Sequence, residues 1–107
     1  MRSVTEPAAV IVDRPDLNRY QAEIGTEVAG FVDYRRHAGR LVLLHTEVPS
    51  EFGGRGIAAQ LARHILDQAI ATETRVLVGC PFIRSFVERH PEYLRIVIPD
   101  RARRPGA

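Results

Sequence analysis

The stretch Glu47–Leu61, EVPSEFGGRGIAAQL, sets three glycines and an arginine between an apolar run and a run with helical spacing. Glycine lets backbone N–H groups converge where a side chain would block them, and a helix N-terminus adds unpaired donors and a partial positive charge. Such a stretch suits an anion, phosphate above all. Before it, Leu41–Val48 (LVLLHTEV) is apolar on both faces at first, as a central buried strand is, and turns polar from His45 to Glu47. Polarity arriving at the C-terminal end of a strand places a cleft there. After it, Ala58, Leu61, Ala62, Ile65 and Ala69 recur at helical spacing, with Arg63, Asp67 and Gln68 outside the stripe, which predicts a helix from Gly56 to about Thr72. RVLVG, residues 75–79, is a further strand, and the helical crossover makes it parallel to Leu41–Val48.

Working outward, the first half reads as an antiparallel strand meander. AAVIVD is a short apolar strand, and RYQAEI alternates with Tyr20, Ala22 and Ile24 on one side, up to a tight turn at Gly25 and Thr26. EVAGFVDYRR sets Val28, Gly30, Val32 and Tyr34 on one face and Ala29 and Phe31 on the other, and HAGR turns the chain again. Beyond the second strand of the crossover, FIRSFVER is a short helix halted by His90 and Pro91, because proline disfavours helical geometry in the residue before it. YLRIVI is the expected last strand. The fold class is therefore α/β, or α+β with a mixed sheet: a strand meander followed by one strand-helix-strand unit that carries the glycines.

The chain has 107 residues, enough for one domain with one core, set here at residues 8–97 with disordered ends at 1–7 and 98–107. An apolar share of 45% and a charged share of 26% are those of an ordinary soluble globular protein. Neither a membrane-length apolar run nor a secretory signal pattern is present, so the expected location is the cytoplasm. Cys80 is the sole cysteine, which excludes an internal disulfide and a cysteine-based metal site; no metal is expected. All 15 basic residues are arginine. The formal charge of +2 depends on Arg101, Arg103 and Arg104, so the folded part is not basic and nucleic acid is not the expected partner.

Three phosphate-binding devices compete for the glycines. A P-loop needs a lysine, and the chain has none. The dinucleotide pattern GxGxxA does occur at Gly54, Gly56 and Ala59, but the acidic residue expected near the end of the next strand is replaced by Gly79 and Cys80. The third device fits: the stretch resembles the pyrophosphate loop of the GNAT acetyltransferase superfamily, here on Glu51, Gly54 and Gly56, with Glu51 departing from the usual arginine or glutamine. The wider pattern resembles the small Yjdj-type N-acetyltransferase domain through GFVDYRR from Gly30, HTEV from His45, GGRGIA from Gly53, CPF from Cys80 and ERHPEY from Glu88. The likeness covers about residues 8–97.

That resemblance implies acetyl-CoA as co-substrate, lying between two parallel strands that splay apart, here Arg40–Val48 and Arg75–Gly79. The backbone of Thr46 to Val48 would meet the pantetheine arm, and the loop of Gly53, Gly54, Arg55, Gly56 and Ile57 the pyrophosphate, where a guanidinium suits phosphate. Acetyl transfer to an amine needs a base, since a lysine-like amine has a pKa of about 10.4. Glu47 is the candidate, on the expectation that it is partly withdrawn from water, with His45 on the same strand face as a relay; the plainer readings are a surface or ion-paired glutamate and a hydrogen-bonded core histidine. Phe86 stands where many GNAT enzymes carry a proton-donating tyrosine. Cys80 is then a candidate either to protonate the departing thiolate or to accept the acetyl group; the plainer reading is a small buried residue. The implied activity is N-acetylation of an amine on a small molecule or polypeptide, polyamines included, by a monomer or weak dimer. A non-catalytic acyl-CoA binding or sensing module stands beside it.

Overall fold

The computed structural model describes residues 8–99. A five-stranded sheet in the order β1 (Val10–Arg14), β2 (Arg19–Ile24), β3 (Glu27–His37), β4 (Arg40–Glu47) and β5 (Val76–Val78) carries helices α1 (Ile57–Thr72) and α2 (Pro81–Arg89). The first four strands are antiparallel; β5 returns through α1 and pairs parallel to β4, with Leu41, Val42 and Leu43 opposite Val76, Leu77 and Val78. Meander, crossover and parallel pair are as the sequence predicts. The expected disordered ends lie outside the described residues except at Ile98 and Pro99.

Packing explains the helix-bearing face. Ile57, Leu61, Ala62, Ile65, Leu66 and Ala69 of α1 bury against Tyr20, Ala22, Val32, Leu41 and Leu43 of the sheet. Ile57 and Leu66 join the stripe read from sequence, while Ala58 is only partly buried. A deep aliphatic residue such as Leu43, with no measurable exposure, stabilises the fold by about 2–5 kcal/mol relative to alanine. Two hydrogen bonds lock the periphery to this core: Tyr34 Oη donates to Asp13 at 2.6 Å and Tyr93 Oη to Asp67 at 2.7 Å.

Three departures from simple alternation matter. A bulge places Ala29 between Gly30, which faces Ala22, and Val28, which faces Glu23, so Ala29 and Gly30 are buried together instead of lying on opposite faces. A second bulge leaves Leu44 unpaired between Leu43 and His45. The expected final strand at YLRIVI is instead a 3-10 helix, Pro91–Ile96, followed by a single parallel bridge from Val97 to Val76. The three-residue period of that helix sets Tyr93 and Ile96 on one side, where both are buried.

Gly30 marks the tightest contact between layers. A Cβ built there would lie 2.9 Å from Ile57 Cγ2, 3.1 Å from Val48 Cγ2 and 3.2 Å from the Glu47 carbonyl oxygen. Backbone and β-branched groups cannot swing aside cheaply, so Gly30→Ala should lower stability by about 1–3 kcal/mol, read as a fall in the urea midpoint at unchanged slope. The tyrosines supply a second test. Burial, then hydrogen bonding to Asp13, pushes the Tyr34 phenol up to about 12; burial also raises Tyr20 and Tyr93. A raised folded-state value means stability that is intact below the unfolded value of about 10 and lost as pH climbs toward 12. Tyrosinate absorbance should therefore appear together with unfolding in this window, and Tyr34→Phe should weaken the pH dependence.

Candidate functional site

The turn Ser50–Phe52, the first turn of α1 and the exposed side of α2 enclose a groove of about 370 Å³. Val48, Gly53, Gly54, Gly56 and Ile57, all singled out in the sequence, line it. Gly54 and Gly56 sit at φ of 80° and 74°, the left-handed region that favours glycine, and this turns the chain directly into α1. No side chain caps that helix start and no acidic residue stands in its first turn, so the donors of Ile57, Ala58 and Ala59 point toward solvent or a ligand. Arg55 lies with its guanidinium carbon 5.3 Å from the Phe52 ring centroid. Glu51 is exposed at the rim.

The far wall is α2. Phe82 and Arg89 line the groove, and Arg89 alone is charged among the described lining residues; its Nη1 donates to Ser85 Oγ at 2.9 Å. Apolar walls, open N–H groups and one guanidinium fit an elongated ligand with an apolar arm and an anionic end. Sequence reading missed Phe52, Ala58, Phe82 and Arg89. Ala59 did appear there as the third position of the rejected dinucleotide match. Phe82 and Arg89 share one face of α2 by their seven-residue spacing, but which face meets α1 is decided by packing, not by spacing.

The floor of the site is a fork in the sheet. Backbone pairing between β4 and β5 ends at Leu43 and Val78, followed by one bond from Gly79 N–H to the Leu43 carbonyl at 2.7 Å. A Cβ on Gly79 would stand 3.0 Å from that oxygen. Beyond it β4 runs on through Thr46 and Glu47 with no ladder on this side among the described residues, and the gap is spanned by Thr46 Oγ1 and Cys80 Sγ at 2.9 Å. Cys80 is 2% exposed, begins α2 as its N-cap and does not line the groove.

His45 and Glu47 are brought together on the other side of the sheet, with His45 Nε2 3.1 Å from Glu47 Oε1. The expectation that Glu47 is withdrawn from water is not met: 58% of its side chain is exposed, and no described helix covers this strand end on that face. His45 is likewise exposed, not a core residue. Behind the pair, Phe31 faces His45 at 6.3 Å between centroids and Arg19 stacks its guanidinium 4.5 Å from the Phe31 ring. Arg19 in turn donates to Gln21, Gln21 to Glu23, and Glu23 accepts from Arg14. Thr46 and Val48 alternate with Glu47 and therefore face the helices. The predicted residues thus divide: the loop, Thr46, Val48 and Cys80 on the helix side, His45 and Glu47 on the bare side.

Phe86 is buried at 1% exposure, stacked on His90 at 4.1 Å between centroids. Its ring can give shape to the core but no proton. Among the described residues no cluster of three histidine, cysteine or carboxylate side chains could hold a metal, and no helix is long and apolar enough to cross a membrane.

Comparison with known proteins gives three findings. The family model for GCN5-related N-acetyl-transferases matches residues 19–97. Protein NATD1 of Bos taurus is 42% identical over 59 residues, which is 53% of this chain and 52% of that protein; Protein NATD1 of Xenopus tropicalis is 37% identical over 59 residues, 53% of this chain and 54% of that protein. The match thus spans about half the length of these curated relatives. The solution structure of a GCN5-like protein from Staphylococcus aureus superposes with a TM-score of 0.66 at 17% identity, covering 92% of this chain and 96% of that chain, a likeness of fold.

Proposed function

Because the chain belongs to the GCN5-related N-acetyl-transferase family, matched over residues 19–97, we propose that it binds acetyl-CoA and transfers the acetyl group to an amine. The observation that carries this reading is the groove that starts at the uncapped N-terminus of α1 beside the fork between β4 and β5. The N–H groups of Gly54 to Ala59 would hold the pyrophosphate, with Arg89 and Arg55 adding charge at the rim. Val48, Phe52 and Phe82 would flank the apolar arm, and the free edge of β4 at Thr46 would receive its amides. Acetyl-CoA supplies an activated acyl thioester.

The residues of the chain then divide the proton traffic. Glu47, directly or through His45, takes the proton that the amine nitrogen loses as its bond to the acetyl carbon forms and the carbon-sulfur bond breaks. The imidazole, 3.1 Å from the carboxylate, gives the proton a second group on the same exposed path. On the helix side the Cys80 thiol, 2.9 Å from Thr46 Oγ1, gives a proton to the departing sulfur, and the half-buried Thr46 hydroxyl is its route to a replacement proton. The same thiol as acetyl acceptor is a second route, in which Cys80 Sγ bonds the acyl carbon while the CoA sulfur leaves with the Cys80 proton. Phe86 favours a different reading, an acyl-CoA binding or sensing module without turnover, since the ring in the usual tyrosine place is buried and carries no hydroxyl.

Acetyl-CoA or CoA at about 100 times its dissociation constant should add about 2.7 kcal/mol, which raises the melting temperature by about 10 °C or more. Arg89→Ala should weaken that binding about tenfold, the loss of one charge-assisted contact, without lowering the melting point of the free protein. No rise with either ligand would remove the cofactor assignment. Release of free CoA with amines, lost in Glu47→Gln while binding persists, separates transferase from sensor. Intact mass after incubation with acetyl-CoA, wild type against Cys80→Ala, separates the two cysteine roles: a stable or trapped acetyl adduct on wild type alone means acceptor.

A further inference from the structure

On the bare side of the sheet, next to the His45–Glu47 pair, lies a second concavity of about 450 Å³. It is lined by Leu17 and Asn18 from the turn after β1, by Asp33, Arg35 and Arg36 of β3, and by the bulged Leu44 of β4. Leu17 and Leu44 are 51% and 43% exposed, large apolar side chains that the core does not use. Asp33 is the cross-strand partner of His45, so whatever binds at Asp33 stands beside the histidine that contacts Glu47.

Its charges are of both signs. Asp33 and Arg35 are alternate residues of one strand and share the bare face, with about 7 Å between their Cα positions. Among the described residues neither side chain makes a hydrogen bond or an ion pair, with the other or with any other group. A carboxylate and a guanidinium thus stand side by side, each open, over two apolar side chains. A ligand that satisfies both at once must carry a cation and an anion a few ångströms apart and an apolar branch, and an α-amino acid has that form. A polyamine would meet Arg35 and Arg36 with like charge, and a lysine side chain or peptide N-terminus has no carboxylate next to its amine.

From this geometry we infer that the concavity is the acceptor subsite and that it takes a free α-amino acid with an apolar side chain. The ammonium sits on Asp33, facing His45 and Glu47; the carboxylate meets Arg35; the side chain lies between Leu17 and Leu44. The inference rests on the acetyltransferase reading and narrows it, from amines in general to one class.

The test is a titration of the isotopically labelled full chain, followed by amide NMR, with L-leucine, L-leucinamide, spermidine and, separately, acetyl-CoA. Leucine should move the amides of Leu17, Asn18, Asp33 and Leu44. Leucinamide, which keeps the amine and loses the carboxylate, should bind at least about tenfold more weakly, and Arg35→Ala should erase that difference. Asp33→Asn should weaken both. The proposal is overturned if leucine leaves those amides unmoved, if leucinamide or spermidine binds as well as leucine, or if Arg35→Ala keeps the preference. Acetyl-CoA in the same samples reports on Gly53 to Ala59. Failure there sinks the cofactor assignment, whereas shifts there with an unmoved bare face sink only the amino-acid subsite.

Discussion

The close approach at Gly30 is the constraint on which the rest of the site depends. With no side chain at that position, Ile57 at the start of α1, Val48 after β4 and the carbonyl of Glu47 all converge within about a van der Waals contact of one strand. Three functional elements are fixed by it: the height of the helix N-terminus above the sheet, the exit path of β4, and hence the side of the sheet on which Glu47 emerges. The bulge at Ala29 beside it belongs to the same device, since it turns β3 enough to bring Gly30 under α1 without losing the ladder to β2. Packing of this density transmits a shift of a few tenths of an ångström, so the glycine governs the groove from the layer below it.

The fork gives that arrangement its chemical meaning. A closed sheet would isolate the groove on the helix side from His45 and Glu47 on the other. Here the ladder stops at Leu43 and Val78, a bulge leaves Leu44 unpaired with β3, and among the described residues the Thr46–Cys80 contact is the one side-chain hydrogen bond across the opening. On the proposed reading, an acyl group delivered from one face would meet a nucleophile that arrives from the other. The buried partner in the gap is a hydroxyl-thiol pair, and no buried side-chain nitrogen or oxygen among the described residues is left without a hydrogen bond, so the opening leaves no such group stranded.

Much of this was legible in the sequence because the relevant signals are local. Gly54 and Gly56 before the periodic run of Leu61, Ala62, Ile65 and Ala69 announce a loop feeding a helix, and the change from LVLL to HTE announces a strand that leaves the core. The parallel return of β5 follows from chain connectivity alone. What was not legible depends on register and on packing between elements. A bulge breaks the two-residue period that would set Ala29 and Gly30 on opposite faces, and YLRIVI has strand composition while Tyr93 and Ile96 are buried by a three-residue turn. Glu47 was expected to lose water because its strand is central, yet being central in order does not bury a residue on a face without a second layer. Arg89 and Phe82 carry no local mark at all; they enter the groove because α2 packs against α1.

The bare face also sets the economy of any reaction there. Glu47, His45 and Arg35 are exposed and Asp33 is half-buried, and at such a surface a single ion contact contributes little and side-chain motion opposes it. Tight capture of a second substrate by these groups alone is therefore not the expected regime. The fold offers compensation through rigidity: Phe31 is held between Arg19 and His45, and Arg19 is anchored along Gln21, Glu23 and Arg14, so the His45–Glu47 pair rests on an ordered row of side chains that crosses from β4 to β1. Orientation lowers a barrier even when affinity is low, because positioned reactants avoid an entropic cost that loosely held ones incur. In a domain of this size, with one core and one covered face, catalytic advantage would arise from alignment across the fork and not from enclosure.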